Sequence, residues 1–337
     1  MQLREKRRGI LAMSDPRVNT LERGPKCAEI LASAVGLNAP GGQRVCLVYH
    51  LSIVSNQAPA RLYRDQSTPA YIRRNTHTLL NTIMPLSQQQ MDQYNENGFL
   101  PMEGVLTPLE VKALHMRLED IGNEVVDFPK AHVQIEPLVK SGELPEDPVR
   151  FNNVRKIWSL TRCDELFKTY ARHPKILDVV TSLLGPNIKI FVDQTLCKPP
   201  RVGSPKPPHQ DSAYWTRIDP PSLVICWMSL NDATEDNGCM RFIPGSHKQG
   251  VIEHKHLEDF RVEDENVDYE NEVSVPLKAG DCSFHHSLSL HRTGANLSDH
   301  RRIGLTVAYM SAESKYIGEG EKPDYDLVAG REFEGCV

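Results

Sequence analysis

Long apolar runs and closely spaced cysteine pairs are both missing from this chain of 337 residues. No stretch approaches the roughly 18 consecutive apolar residues that would suggest a membrane span. Residues 1–9 also lack the apolar run that follows the charged start of a secretory signal. None of the eight cysteines forms a C-x-x-C pair, which argues against a zinc knuckle or a thioredoxin-type site. We therefore expect reduced, mostly buried thiols in a cytoplasmic protein that has no membrane partner.

Acidic residues are scarce in residues 1–83, where arginine is frequent and no helix or strand period is sustained. We interpret this segment as a poorly ordered N-terminal extension. Three explanations stay open: a targeting extension, a regulatory tail, or a start codon assigned too early, with Met84 as the true start. We favour the third. Residues 84–337, expected to form one domain with an N-terminal helical buttress, carry the negative charge, which argues against a nucleic-acid partner.

Helix signals are concentrated in the first part of residues 84–337. Ser87–Tyr94 predicts a short helix. The run Thr107-Pro108-Leu109-Glu110 combines an N-cap, a proline at the first helical position and a capping box, and it predicts a helix to about Val126, followed by a polar loop. A helical pair is predicted over Asp164–Leu184, with its break just before Pro174.

From residue 188 onwards the pattern changes to short strands separated by turn signals. The candidates are Ile188–Lys198, Leu223–Leu230, Met240–Ile243, Val273–Leu277, Asp281–His285, Leu288–His291 and Arg302–Tyr309. Asp236-Asn237-Gly238 and Ala279-Gly280-Asp281 predict hairpin turns. Helices first and many short strands later predict a mainly β (α+β) protein with flanking helices, either a sandwich or a jelly roll.

The sharpest motif is His209-Gln210-Asp211. On a strand, residues i and i+2 point to the same face, so this imidazole and this carboxylate can reach one metal. His291 follows 82 residues later. Two histidines and one carboxylate on one face of an octahedral Fe(II) leave three positions open, which suit a chelating keto acid and O2. The motif alone is weak, because a surface His–Asp pair that makes turn hydrogen bonds is the alternative.

Arg302 lies 11 residues after His291, on a predicted strand. The far carboxylate of a keto diacid chelated to iron needs a buried cation, and arginine binds carboxylates bidentately. Alternation along the strand places Arg302 on the opposite face from the apolar residues. Arg301 competes for this role.

The run from Trp227 to His247 resembles the signature of the phytanoyl-CoA dioxygenase family. The order of His209-x-Asp211, Asn237-Gly238-Cys239, Pro244-Gly245-Ser246-His247, His291 and Arg302 resembles it as well. The resemblance covers about residues 87–315. It implies a double-stranded β-helix, a cupin-like jelly roll, that uses Fe(II), 2-oxoglutarate and O2.

The resemblance also implies roles for individual residues. The metal ligands are His209, Asp211 and His291, and the implied co-substrate contacts are Arg302, Thr293, Lys156 and Trp227. Gln194 stands where the family often has methionine or another contacting side chain, so the sequence departs from the pattern there. For Trp227 simple core packing is the alternative, and for Lys156 a solvated charge.

Three other histidines could compete as metal ligands. His285 and His286 are near His291, but neither has an arginine at the family's spacing. His247 is expected to be structural, in a tight turn at the end of a strand, with its imidazole hydrogen-bonded to the backbone.

The implied activity is hydroxylation of a small-molecule metabolite with release of succinate and CO2. The presence of Asp211 favours hydroxylation, because related halogenases lack this carboxylate, although desaturation and ring closure stay open. A non-catalytic jelly-roll binding module and a keto-acid-independent cupin metalloenzyme are the alternatives. Tyr214 and Trp215 could wall the pocket or pack under a loop. The acidic segment 253–272 is either a solvated loop or a lid that disfavours anionic substrates, and the sequence does not predict the oligomeric state.

Overall fold

The computed structural model describes residues 85–257 and 259–337, together with a two-residue strand pair, β1 (Leu37–Asn38) and β2 (Arg44–Val45). The chain divides into two units, Met1–Thr76 and His77–Val337. Apart from that strand pair, the interpretation of residues 1–83 and the proposed start at Met84 lie outside the described residues. No described helix is long and apolar enough to cross a membrane.

The helices of the second unit agree with most of the helix signals in the sequence. The helices are α1 (Gln88–Asn97), α2 (Pro108–Gly122), α3 (Pro137–Lys140), α4 (Leu160–Cys163), α5 (Glu165–Tyr170) and α6 (Pro174–Leu184). Ser87 and Thr107 cap α1 and α2, and both helices have a complete capping box. Pro174 opens α6, which confirms the predicted break in the helical pair. The predicted end of α2 at Val126 is too late, since the helix ends at Gly122.

The described part of the second unit contains sixteen strands, numbered here in chain order. They are β3 (Phe99–Met102), β4 (Val133–Ile135), β5 (Val154–Trp158), β6 (Ile188–Lys198), β7 (Lys206–His209), β8 (Ile218–Asp219), β9 (Val224–Ser229), β10 (Met240–Phe242), β11 (Lys255–His256), β12 (Phe260–Arg261), β13 (Val273–Val275), β14 (Cys282–His286), β15 (His291–Thr293), β16 (Arg302–Ser311), β17 (Lys315–Tyr316) and β18 (Leu327–Ala329). The predicted polar loop after α2 in fact contains β4, which is recognisable only through its pairing with β5.

Two antiparallel sheets build the domain. The major sheet has the order β3-β14-β9-β16-β6-β5-β4, and β18 also pairs with β6. The minor sheet has the order β13-β10-β15-β7. Apolar side chains of both sheets meet between them, for example Trp227 of the major sheet with Met240 and Phe242 of the minor sheet. Helices α2 and α6 cover the other face of the major sheet, where Leu114, Leu118 and Val180 are fully buried. The predicted fold class, mainly β with flanking helices, is confirmed.

Both predicted hairpins have the turn in the expected place, but the strands on either side of the turn do not pair with each other. The turns at Asp236–Gly238 and Ala279–Asp281 do occur, and Gly238 and Gly280 have φ values of 85° and 97°. However, each turn carries the chain from one sheet to the other, from β9 to β10 and from β13 to β14. A turn signal fixes local geometry, whereas strand pairing is decided by contacts distant in sequence.

The predicted strand Leu288–His291 is also wrong, because the strand starts only at His291. Side chains occupy the backbone groups that a strand would have paired. The Leu290 N–H donates to Ser246 Oγ at 2.9 Å, and the Leu288 carbonyl accepts from Gln210 Nε2 at 2.6 Å. These bonds fix residues 288–290 in an irregular conformation that leads into β15.

Replacing Gly304 with alanine should destabilise the fold, because the added Cβ would overlap the Trp227 indole that lies over this glycine. We expect a loss of about 1–3 kcal/mol in unfolding free energy, the usual cost of overpacking. Denaturant unfolding measures it. Gly294→Ala is the control, because there the nearest heavy atom is 4.0 Å away. Equal stability of the two variants would contradict the packing described.

Candidate active site

Antiparallel pairing in the minor sheet brings the two histidines together. His209 ends β7 and His291 begins β15, and the two are direct register partners. Their ring centroids are 4.2 Å apart. The sequence predicted that Asp211 lies on the same strand as His209. In the structure Asp211 instead opens a single 3-10 turn, Asp211–Ala213. One ligand atom from each of the three residues lies within 4.8 Å of the others, so the groups converge without the shared strand face.

Main-chain carbonyls orient the two imidazoles. Nδ1 of His209 lies 2.9 Å from the Pro207 carbonyl, and Nδ1 of His291 lies 2.9 Å from that of Ser289. Nδ1–H is therefore the donor, and each Nε2 keeps a free lone pair for a metal. Burial lowers the pKa of both rings, to about 4 for His291. Both are accordingly neutral at pH 7, as metal binding requires.

Asp211 is ionised in this site. Burial alone would raise the pKa of its carboxyl, but His285, whose Nε2 lies 3.6 Å from Oδ2, and the neighbouring His291 and His209 outweigh burial and lower the pKa. Two nitrogen ligands and one carboxylate form the donor set that non-haem Fe(II) accepts with open positions. The residues present therefore fit the metal that the sequence suggested.

The competing histidines occupy other positions. His285 Nε2 lies 3.6 Å from Asp211 Oδ2, so it faces the carboxylate from outside the group of three. His286 contacts Ser222 Oγ at 3.1 Å and accepts from the Leu288 N–H at 3.0 Å. The ring of His247 is tilted by 43° against that of His286, with centroids 5.5 Å apart.

Gln210, the middle residue of the motif, braces the site, a role that the sequence did not reveal. It is fully buried. Its Nε2 donates to the carbonyls of Leu288 and Gly250 at 2.6 and 2.9 Å, and its Oε1 accepts from the Ile252 N–H at 2.7 Å. One side chain thus connects the His209–Asp211 segment to the approach to His291. A polar residue between two candidate ligands was the available signal.

Register in the major sheet assembles the second half of the site. Trp158, Gln194, Thr306 and Trp227 follow one another across β5, β6, β16 and β9. A neighbouring row contains Lys156, Leu196 and Gly304, and the next pairs Lys198 with Arg302. Residues in register on adjacent strands point to the same face. Thr293 reaches the same space from β15 of the minor sheet.

One cavity of about 450 Å³ contains all of the candidate residues. It is lined by His209, Asp211, His291, Arg302, Thr293, Lys156, Trp227 and Gln194. The set predicted from the sequence is therefore brought together between the two sheets.

Arg302 is the most unusual group in this cavity. It is only 2% exposed, and its Nε and Nη1 find no hydrogen-bond partner among the described residues. Its competitor, Arg301, is turned away and donates to the carbonyls of Phe151 and Val154 at 2.7 and 2.8 Å. A buried, unsatisfied guanidinium is costly unless a ligand pairs with it. The Arg302 guanidinium therefore fits the far carboxylate of a keto diacid.

The inner cavity opens into a larger outer cleft of about 1420 Å³. Gln134, Lys156, Gln194, Tyr214 and Trp215 line both spaces. Tyr214 is 42% exposed and its ring stands edge-on to that of His209, with centroids 5.8 Å apart. Tyr214 and Trp215 therefore wall the passage between the metal group and the cleft.

Four of the eight acids of segment 253–272 that the structure describes have basic partners. Asp259 pairs with Lys206 at 2.5 Å, and Glu272 pairs with Arg292 at 2.5 Å. Glu263 and Asp264 pair with Lys255 and Arg261. Asp259 is the member of this segment that lines the inner cavity, where Lys206 already balances it. The segment is therefore less repulsive to anions than its composition suggested.

Gln210→Ala should remove the side-chain partner of three main-chain groups, the Leu288 carbonyl among them being buried, and loosen both ligand segments. We expect a loss of at least about 2 kcal/mol in unfolding free energy and divalent-metal binding weakened by about 10–100-fold. Calorimetric titration with Mn(II) measures the second effect. Gln89→Ala, at an exposed position of α1, is the control. Unchanged metal affinity in a folded Gln210→Ala protein would contradict the bracing role.

The sequence and the fold both have known counterparts. Residues 94–304 match the family model Phytanoyl-CoA dioxygenase (PhyH). Peroxisomal phytanoyl-CoA dioxygenase of Rattus norvegicus is 28% identical over 254 residues, which cover 72% of each chain. A probable alpha-ketoglutarate-dependent hypophosphite dioxygenase of Stutzerimonas stutzeri is 27% identical over 263 residues, 72% of this chain and 86% of its own.

Solved structures share the architecture. EctD from S. alaskensis superposes with a TM-score of 0.58 at 19% identity, covering 75% of this chain and 86% of its own. The epimerase SnoN, solved with Fe3+, alpha ketoglutarate and nogalamycin RO, gives 0.55 at 23% identity over 69% and 86% of the two chains. At these identities the likeness shows the fold, a cupin-like jelly roll. Since the family model spans more than half of the sequence, the chain belongs to the phytanoyl-CoA dioxygenase family and is a dioxygenase that depends on iron and 2-oxoglutarate.

Proposed function

We propose that residues 84–337 form the catalytic domain and hydroxylate a small molecule that reaches the inner cavity from the outer cleft. In this proposal the metal ligands are His209, Asp211 and His291, and the 2-oxoglutarate contacts are Arg302, Thr293, Lys156, Trp227 and Gln194. One observation carries the proposal: three convergent ligand atoms share one cavity with the buried, unpaired guanidinium of Arg302.

The bound iron, with 2-oxoglutarate and O2, supplies the oxidising chemistry that converts a substrate C–H bond into C–OH with release of succinate and CO2. The protein residues bind and orient. Arg302 neutralises the far carboxylate, and Thr293 can donate to it from the facing sheet. The Trp227 ring centroid lies 5.3 Å from the Arg302 guanidinium carbon. In this position the indole would shield the ion pair from water, which strengthens it.

Lys156 and Gln194 stand where the inner cavity meets the outer cleft. Lys156 has no carboxylate partner among the described residues, and its ammonium lies 5.7 Å from the Trp158 ring centroid. Burial and the nearby Lys206 lower the pKa of Lys156. An unpaired cation at this junction can bind an anionic group of the co-substrate or of the substrate.

Charge balance in the outer cleft bears on the substrate. The lining carries Lys140, Lys156, Arg162 and Arg217 against Glu146, Asp193 and Asp326, a net charge of 4 − 3 = +1. Its walls include the rings of Trp158, Phe191, Tyr214, Trp215 and Tyr325. We therefore propose a ring-bearing metabolite with at most one negative charge in preference to a polyanionic CoA thioester. Relatives named for phytanoyl-CoA and for hypophosphite show that family membership leaves this choice open.

The compartment is proposed on the cysteines. Cys163, Cys197, Cys226, Cys239, Cys282 and Cys336 are all free thiols. Reduced cysteines suit the cytoplasm, and we place the enzyme there.

Anaerobic titration with Fe(II) and 2-oxoglutarate tests the residue roles. We expect a weak metal-to-ligand charge-transfer band in the visible for the wild type and its loss in Asp211→Ala. Arg302→Gln should weaken 2-oxoglutarate binding by about 10–100-fold, because the buried carboxylate loses its charged partner. Arg301→Gln is the matched control and should bind normally. A folded wild-type protein without the band, or an Arg301→Gln defect equal to that of Arg302→Gln, would overturn the assignment.

Substrate-stimulated release of succinate tests the charge proposal. A panel of ring-bearing carboxylic acids is compared with the CoA thioesters of the same acids. We expect stimulation by the free acids to exceed that by the thioesters, because a net charge of +1 in the cleft can balance one carboxylate but not the several negative charges of CoA. Greater stimulation by the thioesters would contradict the proposed substrate class.

A further inference from the structure

Lys198 stands beside Arg302 in the wall of the inner cavity. It is the last residue of β6, and Arg302 is the first of β16, and the two are direct register partners. Both line the cavity, and they are only 5% and 2% exposed. Directly opposite residues of an antiparallel pair have Cβ atoms about 4.5–5.5 Å apart, and like charges there are destabilising. The arrangement therefore places two potential cations side by side in a buried pocket.

The Lys198 side chain is fixed in this position. A Cβ on Gly203 would lie 2.6 Å from Lys198 Cβ, and one on Gly238 would lie 3.2 Å from its Cδ, so both glycines pack closely on the stem. The Lys198 carbonyl accepts from Asn296 Nδ2 at 2.9 Å. Its Nζ donates to the Ser204 carbonyl. Lys198 cannot turn out to solvent without disrupting these contacts.

Charges around Lys198 do not balance. Arg302 faces it from β16 and Arg155 from β5. The opposing acid is Glu136, which is fully buried and already shared between Arg155 at 3.2 Å and Ser204 Oγ at 2.7 Å. The glycines and Asn296 on the other sides carry no charge. With Lys198 protonated, three cations would surround one carboxylate, an excess of two buried positive charges.

In the free protein this excess is reduced by deprotonation. Burial first, and then Arg302 and Arg155, lower the pKa of Lys198 to about 6, and Glu136 offsets this only in part. Near pH 7.5 most of the Lys198 amine is therefore neutral, and it can still donate an N–H to Ser204. An anion placed beside it would favour the ammonium form again.

We propose that Lys198 is a second cation of the pocket for the far carboxylate of 2-oxoglutarate, and that it takes up one proton when the co-substrate binds. This inference rests on the proposed function. The proton passes from a buffer acid to the Lys198 amine, leaving the conjugate base in solution and an ammonium–carboxylate contact in the pocket. No other bond is made or broken. Lys198 is a binding residue here, and the Arg302 contact stays in place.

Calorimetry of 2-oxoglutarate binding to the anaerobic Fe(II) protein tests this directly. Titrations at pH 7.5 in phosphate, HEPES and Tris give the number of protons taken up from the dependence of the heat on buffer ionisation. We expect uptake approaching one proton for the wild type at pH 7.5 and clearly smaller uptake at pH 5.5, where most of Lys198 is already protonated. Lys198→Met should lose the uptake and bind 2-oxoglutarate about tenfold more weakly.

Two further variants keep the test decisive. Lys198→Arg carries a permanent charge, so it should bind 2-oxoglutarate without proton uptake, even if Lys198→Met fails to fold. Lys189→Met removes another buried lysine of β6, one that pairs with Glu332 at 3.1 Å outside the cavity, and it should keep the wild-type uptake.

The possible failures can be told apart. A wild-type protein with no charge-transfer band would overturn the proposed function. A normal band without wild-type proton uptake, or with the same uptake in Lys198→Arg, would overturn the role of Lys198 and leave the proposed function standing.

Discussion

The pairing of β7 with β15 is the constraint on which the site depends. It sets His209 opposite His291 at the edge of a four-stranded sheet, and a shift of one residue would turn one imidazole to the other face. Main-chain carbonyls then fix both rings, and Gln210 holds the intervening segments together. Backbone pairing therefore determines where the two histidine ligands lie, and little side-chain adjustment is needed to bring them together.

Across the cavity, the major sheet contributes what the metal group lacks. Its register places four side chains on one face, those of Arg302, Trp227, Gln194 and Lys156. Strand alignment therefore sets the position of the cation, of the indole that shields it and of the residues at the cavity entrance. Gly304 is required in the middle of this face because the Trp227 indole lies directly over it. The buried positive charge of Arg302 has a cost in the free protein, and the carboxylate of a co-substrate offsets it. Stability and ligand binding are thus coupled at this residue.

Much of this could be predicted from sequence, for reasons that particular residues illustrate. His209, His291 and Arg302 were recognisable because metal binding and carboxylate binding require these residue types, and their spacing in the sequence resembles that of the family. The helix starts at Ser87, Thr107 and Pro174 follow from local capping rules. The exit of Asp211 from its strand, the brace at Gln210 and the position of Lys198 depend on contacts between distant segments. No local pattern encodes such contacts, and the same holds for the change of sheet after Gly238 and Gly280.

The most direct test of the metal group is X-ray absorption spectroscopy of the anaerobic Fe(II)-loaded protein. The account predicts two imidazole nitrogens in the iron coordination shell, with oxygen donors in the remaining positions, and one imidazole in His291→Ala. A shell with three imidazoles, which would bring in His285, or a spectrum unchanged in His291→Ala, would contradict it.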